Sequence, residues 1–207
     1  DTAGHVVATV GGGSGAPALR KPMAMATDGQ RIYVANSLAS QIIVLDLDGR
    51  AERALTLEQG PEDRMAPRPI GVAVMPGGGL AVSDADNHRV LFLDGDGRVI
   101  KAVGTGTRSG GEDGFNVPGA LTVDSAGNLY VVDTLNGRVV KLSPDGAFAG
   151  EFGELGDTAG TLSRPKGVAV DSSGRVMVSD GLMAAIAVFD PDGTYLGMIG
   201  RRHAEDA

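Results

Sequence analysis

The 207-residue chain fits one domain on a prior of roughly 150 residues each, and 42% hydrophobic against 21% charged residues argues against general disorder. A formal charge of −8, with no basic cluster longer than Arg201-Arg202, speaks against nucleic acid as a partner, and no apolar run is long enough for membrane insertion. The absence of cysteine excludes disulfides, thiolate catalysis and covalent haem, while 33 glycines and 10 prolines disfavour helix and point to a turn-rich all-β chain.

In chain order, residues 1–11 align with residues 94–104 and are expected to form an orphan outer strand, with residues 6–10 at its centre. Gly11-Gly12-Gly13-Ser14-Gly15 lacks the Gly-Lys-Ser/Thr ending of a phosphate loop and reads as a linker. From there one programme repeats, opened by Pro22, Pro69, Pro118 and Pro165 at spacings of 47, 49 and 47 residues. Each proline starts a small, apolar stretch such as Gly71-Val72-Ala73-Val74. A turn such as Asp124-Ser125-Ala126-Gly127 leads to a second β-rich stretch such as Leu129-Tyr130-Val131-Val132. A polar corner precedes a third stretch, for example Val90-Leu91-Phe92-Leu93. A second tight turn (Asp94-Gly95-Asp96-Gly97 or Asp190-Pro191-Asp192-Gly193) leads to a fourth, which closes at Val103-Gly104, Phe152-Gly153 or Ile199-Gly200. Residues 201–207 align with the start of another linker.

Four short strands per unit joined by hairpin turns make one antiparallel propeller blade. Such a blade cannot bury both faces alone, so neighbours must stack. The predicted fold is therefore an all-β propeller of four-stranded antiparallel blades, a single domain over 1–207 with blades at about 22–68, 69–117, 118–164 and 165–200. The cycle also resembles the NHL-repeat β-propeller family. The third repeat carries the resemblance best, with Leu129-Tyr130-Val131-Val132-Asp133 and Asn136-Gly137-Arg138-Val139, and the second carries it at Asp84, Asn87, His88 and Arg89. The first and fourth repeats lack the Asn-x-Arg element. The resemblance implies a ring of five or six blades, and so one or two blades beyond the four visible. The chain is then expected not to close on itself, but to need the remainder of a longer polypeptide or a protein partner.

Asn36, Asp84, Asp133 and Asp180 each end a second stretch and converge on one face, where they are candidates for a ligand or cation site. Structural pairing within the corner, with Arg89 and Arg138, accounts for the same residues. The Asp46-x-Asp48-Gly49, Asp94-x-Asp96-Gly97 and Asp190-x-Asp192-Gly193 turns resemble the opening of a calcium loop, yet each lacks its closing glutamate and reads as a hairpin turn. The histidines His5, His88 and His203 are scattered. They do not reproduce the set of channel histidines with which some NHL-type lyases hold zinc, so no cofactor and no tightly bound transition metal is expected. No serine lies in a Gly-x-Ser-x-Gly elbow.

The long linkers 58–68, 104–117 and 153–164 vary among repeats, as recognition loops on a rigid scaffold do. In the fourth repeat the corner Leu182, Met183, Ala184 and Ala185 is apolar and is a candidate contact surface, together with the four strand-end residues. These features predict a non-catalytic scaffold for protein–protein interaction, in a periplasmic or secreted setting that fits a chain beginning at Asp1. The alternatives are a metal-dependent lyase or hydrolase, or a small-ligand sensor.

Overall fold

Tight Asp-x-x-Gly turns set the spacing of the strands. In Asp124-Ser125-Ala126-Gly127, Asp124 Oδ1 accepts from the backbone N–H of Ala126 and of Asn128, both at 2.9 Å, while Gly127 takes φ +86°. The carboxylate holds the turn open and glycine supplies the left-handed residue that closes it. Asp94, Asp171 and Asp190 repeat the arrangement. In Asp94 and Asp190, which also open two of the Asp-x-Asp-Gly sequences, one carboxylate oxygen is thus committed to the turn itself.

The computed structural model describes residues 3–6 and 17–200. The expected strand over 1–11 lies largely outside them. Its described part, 3–6, forms a turn and irregular chain rather than strand, and the glycine linker 11–15 and residues 201–207 also lie outside. Blade 1 consists of β1 (Pro22–Thr27), β2 (Arg31–Asn36), β3 (Gln41–Asp46) and β4 (Ala51–Thr56). Blade 2 has β5 (Pro69–Val74), β6 (Leu80–Asp84), β7 (Arg89–Leu93) and β8 (Val99–Val103). Blade 3 has β9 (Pro118–Val123), β10 (Leu129–Asp133), β11 (Arg138–Leu142) and β12 (Phe148–Phe152). Blade 4 has β13 (Pro165–Val170), β14 (Val176–Asp180), β15 (Ala185–Phe189) and β16 (Tyr195–Ile199). Every sheet is an antiparallel meander in chain order.

Proline opens each first strand, the position at which its missing N–H does least harm, and a register slip follows it in all four blades. The first strands are neighbours, β1 beside β5, β5 beside β9 and β9 beside β13. Their small residues permit that closeness. A Cβ on Gly71 would lie 2.3 Å from the carbonyl oxygen of Gly119 and 2.8 Å from Ser83 Oγ. Gly71→Ala is therefore expected to cost roughly 1–3 kcal/mol by overpacking, measurable as a lower denaturation midpoint.

The cores lie between blades. Val132, Val139 and Phe152 of blade 3 pack on Val176, Val178 and Phe189 of blade 4, with Leu162 of the linker between them. Phe115 plays the same part between blades 2 and 3. Burying each such side chain contributes about 1.5–3 kcal/mol, and the two middle strands of each blade supply most of them. Tyr130 buries its ring here and donates its hydroxyl to Asp124 Oδ2 at 3.1 Å. Burial, aided by the Asp124 charge, pushes its phenol up to about 12 from an ordinary 10.0. The folded value is the higher, so this contribution to stability is whole below pH 10 and is lost as pH rises towards 12. Tyr130→Phe is expected to flatten the alkaline fall in melting temperature across that window.

No helix among the described residues is long and apolar enough to cross a membrane. The meander places both hairpin turns of each blade at one end. The corners between second and third strands share the opposite end with the long linkers, and it is there that the polar side chains collect.

Candidate functional site on the linker and corner face

At the end of β10, Asp133 Oδ1 accepts from the N–H of Asn116 at 2.7 Å, while Oδ2 accepts from Asn136 Nδ2 at 2.7 Å and Arg138 Nε at 3.0 Å. Arg138 continues to Glu151 at 2.6 Å and to the carbonyls of Gly111 and Gly114 at 2.9 and 3.0 Å. Asn136 also donates to the carbonyl of Ser109. Blade 2 repeats the device. Asp84 accepts from Arg68 N, Asn87 Nδ2 and Arg89 Nε at 2.9, 2.9 and 3.1 Å, and Arg89 forms a two-pronged pair with Asp63 at 2.6 and 2.7 Å. The Asn-x-Arg element is thus a staple fastening each corner to the linker that enters its blade.

Burial pushes the Asp133 carboxyl above its ordinary value, against the lowering by its three donors. Burial also raises Asp63, but the Arg89 hydrogen bonds and the Gly60 N–H outweigh it and hold that carboxyl low.

Blades 1 and 4, which lack the staple, satisfy the same position otherwise. Asn36 accepts from Arg20 N and donates to the Ala18 carbonyl, and Asp180 takes three backbone N–H groups, from Arg164, Leu182 and Met183, at 2.8, 2.9 and 3.0 Å. Asn36, Asp84, Asp133 and Asp180 are at most 4% exposed, so they stand behind the face as anchors and offer no contact surface. This corrects their placement in such a surface.

The apolar corner of blade 4 is corrected in part. Ala185 is buried at the start of β15, while Leu182 is exposed, Met183 half-buried and Ala184 exposed. Leu182 does not set blade 4 apart, because Leu38 and Leu135 occupy the same corner position and are 64% and 50% exposed. What is distinct is a cleft of about 500 Å³ lined by Asp157, Ser163, Met183, Tyr195 and Met198 among others, with Met183 and Met198 where blade 3 has Asn136 and Glu151.

A second feature without a counterpart in the other blades lies between blades 2 and 3. The last corner residue is left-handed in every blade: Ser40, His88, Gly137 and Ala184 have φ of 52, 48, 64 and 50°. In blade 3 this position is pressed against the linker backbone, with Leu155 Cα and the Leu162 carbonyl each 2.6 Å from where a Cβ would sit on Gly137. In blade 2 the position carries an imidazole instead. His88 Nδ1 accepts from the N–H of Val117 at 3.1 Å, and Val117, a β-branched residue, is itself held at φ +60°. Such strain costs of order 1–3 kcal/mol and clusters at functional sites. Adjacent to it, the buried Oδ1 of Asn116 has no donor among the described residues.

Burial first, then the charge of Arg108, holds His88 below the ordinary histidine value, against the opposing charges of Asp86, Asp133 and Asp84. Asp86 is itself paired with Arg68 at 2.6 Å. The ring is therefore neutral at pH 7. With Nδ1 accepting, its proton sits on Nε2, which has no protein partner among the described residues.

Sequence reasoning assigned no role to His88. The available signal was a histidine at a corner position that glycine fills in the next repeat. His5 is exposed in the described segment 3–6, and His203 lies outside the described residues. Among the described residues no three His, Asp or Glu side chains are grouped to hold a metal ion, so the residues present do not fit the zinc arrangement of NHL-type lyases.

Residues 67–91, from the end of the first long linker to the start of β7, match the family model of the NHL repeat. The fold is similar to virginiamycin B lyase from Staphylococcus aureus, with a TM-score of 0.70 at 16% identity over 89% of this chain and 57% of that one. A catalytically inactive His-to-Ala variant of the S. aureus lyase with quinupristin gives 0.69 at 15% identity, over 89% and 57% of the two chains. A streptogramin B lyase gives 0.59 at 14% identity, over 89% of this chain and 70% of that one. The chain thus spans little more than half the length of the first two. These neighbours count against two expectations, that the chain is a non-catalytic scaffold and that it is not an enzyme, because the structures that share its propeller fold include lyases; at 14–16% identity the likeness is one of fold.

Proposed function

We propose that this β-propeller chain, with its NHL repeat at residues 67–91, is part of a lyase that holds a carbonyl-bearing ligand on the linker and corner face between blades 2 and 3. The observation that carries the reading is the neutral imidazole of His88, oriented through Nδ1 by a strained backbone and presenting an unpartnered Nε2–H. Elimination next to a carbonyl builds negative charge on the carbonyl oxygen. A donor fixed in advance and partly shielded from water stabilises that charge without reorganising. The catalytically inactive His-to-Ala variant shows that a histidine matters in the S. aureus lyase, and the quinupristin in that structure names the probe.

Chromatography of quinupristin incubated with the full-length protein tests the reading. Elimination opens the ring with no change in mass, whereas hydrolysis adds one water. Ring opening by the wild type that is lost in His88→Ala supports the assignment. Equal rates in both proteins remove His88 from the chemistry, and no opening by the wild type discards this class of ligand.

A further inference from the structure

We infer that the cleft on the linker side of blade 4 binds an arginine side chain of a peptide. The inference is independent of the role given to His88. Blade 3 shows what fills the equivalent space. There Arg138 lies between its corner and the entering linker, with its guanidinium on Glu151 and on the carbonyls of Gly111 and Gly114, and Asn136 holds the Ser109 carbonyl beside it. Forty-seven residues on, Ala185, Met198 and Met183 stand where blade 3 has Arg138, Glu151 and Asn136. The linker of blade 4 needs no staple, because it is tied to itself. The Thr158 carbonyl accepts from Thr161 Oγ1 at 2.8 Å, and Thr161 Oγ1 accepts from the Thr158 N–H at 2.9 Å. The arginine is thus missing while both walls stay in place, and the cleft of about 500 Å³ is what it leaves.

Strand register fixes the side on which the cleft lies. Tyr195 is opposite Phe189 and Met198 is opposite Ala187, and Phe189 and Ala187 both belong to the core shared with blade 3. The cleft therefore faces blade 3 and the linker entering blade 4, and is not part of the outer face. Its lining suits the occupant. Met183 and Met198 give adaptable apolar contact to an alkyl stem, and the Tyr195 ring gives a flat surface to a guanidinium, which is planar and weakly hydrated. Asp157 is the charged residue of the lining, exposed and without an ion-pair partner among the described residues. Leu182, exposed at the rim, offers apolar contact to the residue next to the arginine. A chain of formal charge −8 also draws cationic peptides towards it.

Calorimetric titration of the full-length protein with N-acetyl-arginyl-leucinamide tests the inference. Saturable binding is expected, at least about 10-fold weaker when citrulline, which keeps the shape and loses the charge, replaces arginine. Asp157→Asn is expected to weaken binding by a similar factor at unchanged melting temperature. Ala185→Arg, which restores the internal guanidinium, is expected to abolish it. No saturable binding, or equal binding of the citrulline peptide, overturns the inference. So does wild-type affinity in Asp157→Asn, which decides the matter if Ala185→Arg fails to fold. Propylguanidinium binding as tightly as the peptide overturns the peptide assignment in favour of a small guanidine.

Discussion

Replacing His88 by alanine is expected to lower kcat/KM for ring opening by roughly 10²–10³-fold, the usual cost of removing one donor from a site of developing negative charge. The loss should fall on kcat more than on KM, because the Nε2–H contributes most when charge has built up on the ligand oxygen. Folding should survive, since Ala184 already occupies the equivalent left-handed corner position in blade 4 at φ 50°. A melting temperature close to wild type would separate lost chemistry from lost structure. His88→Gln, which retains a donor, is expected to recover part of the rate.

On the proposed role the same histidine is expected to set the acid limb of the pH profile, because protonation at Nδ1 removes the acceptor through which Val117 N–H orients the ring. Because burial and Arg108 hold its folded value below the ordinary 6.5, the ring stays neutral, and activity persists, to lower pH than a free imidazole would allow. The unfolded chain takes up this proton first as pH falls. The stability contribution is therefore lost on acidification, from about 6.5 downward through the folded value. A limb that stays in place in His88→Ala belongs to another group.

Asp133→Ala is expected to destabilise the protein by about 3–5 kcal/mol, because it leaves the Arg138 guanidinium without its buried carboxylate. The N–H of Asn116 and the amide of Asn136 lose their acceptor as well. At roughly 2–4 °C per kcal/mol for a chain of this size, the melting temperature should fall by about 6–20 °C. The double variant Asp133→Ala/Arg138→Met should recover part of that loss, because an apolar replacement removes the buried Nε–H that has lost its acceptor, at the cost of the pair with Glu151. A single variant with unchanged melting would mean that the staple holds only the linker, locally, and not the blade.

Much of this was legible in the residues. Proline spacing, Asp-x-x-Gly turns and period-two apolar stretches are local signals, and each specifies its own hairpin without help from distant chain. The pairing of Asp84 with Arg89 and of Asp133 with Arg138 was legible for the same reason, since partners five positions apart across one corner meet by strand register alone. The candidate site was not legible. Val117 donates to an imidazole 29 positions earlier, across the gap between the corner of blade 2 and the linker entering blade 3. No composition or spacing signals that contact, because the path of the linker depends on how Arg138 and Asn136 fasten it.

The sequence by itself determined the blade, its four strands, its turns and the need for neighbours, because these follow from short-range backbone preference and from alternation of apolar residues. Only the tertiary structure decided which polar groups are anchors and which are available to a ligand. Pairing within the corner left Asp84, Asp133 and Asp180 open as ligand candidates, and it is stacking of the blades and closure of the linkers that bury them and use up their oxygens. His88, in a corner like three others, is set apart because the linker running beside it offers Nδ1 a donor, and Nε2 has no protein partner among the described residues.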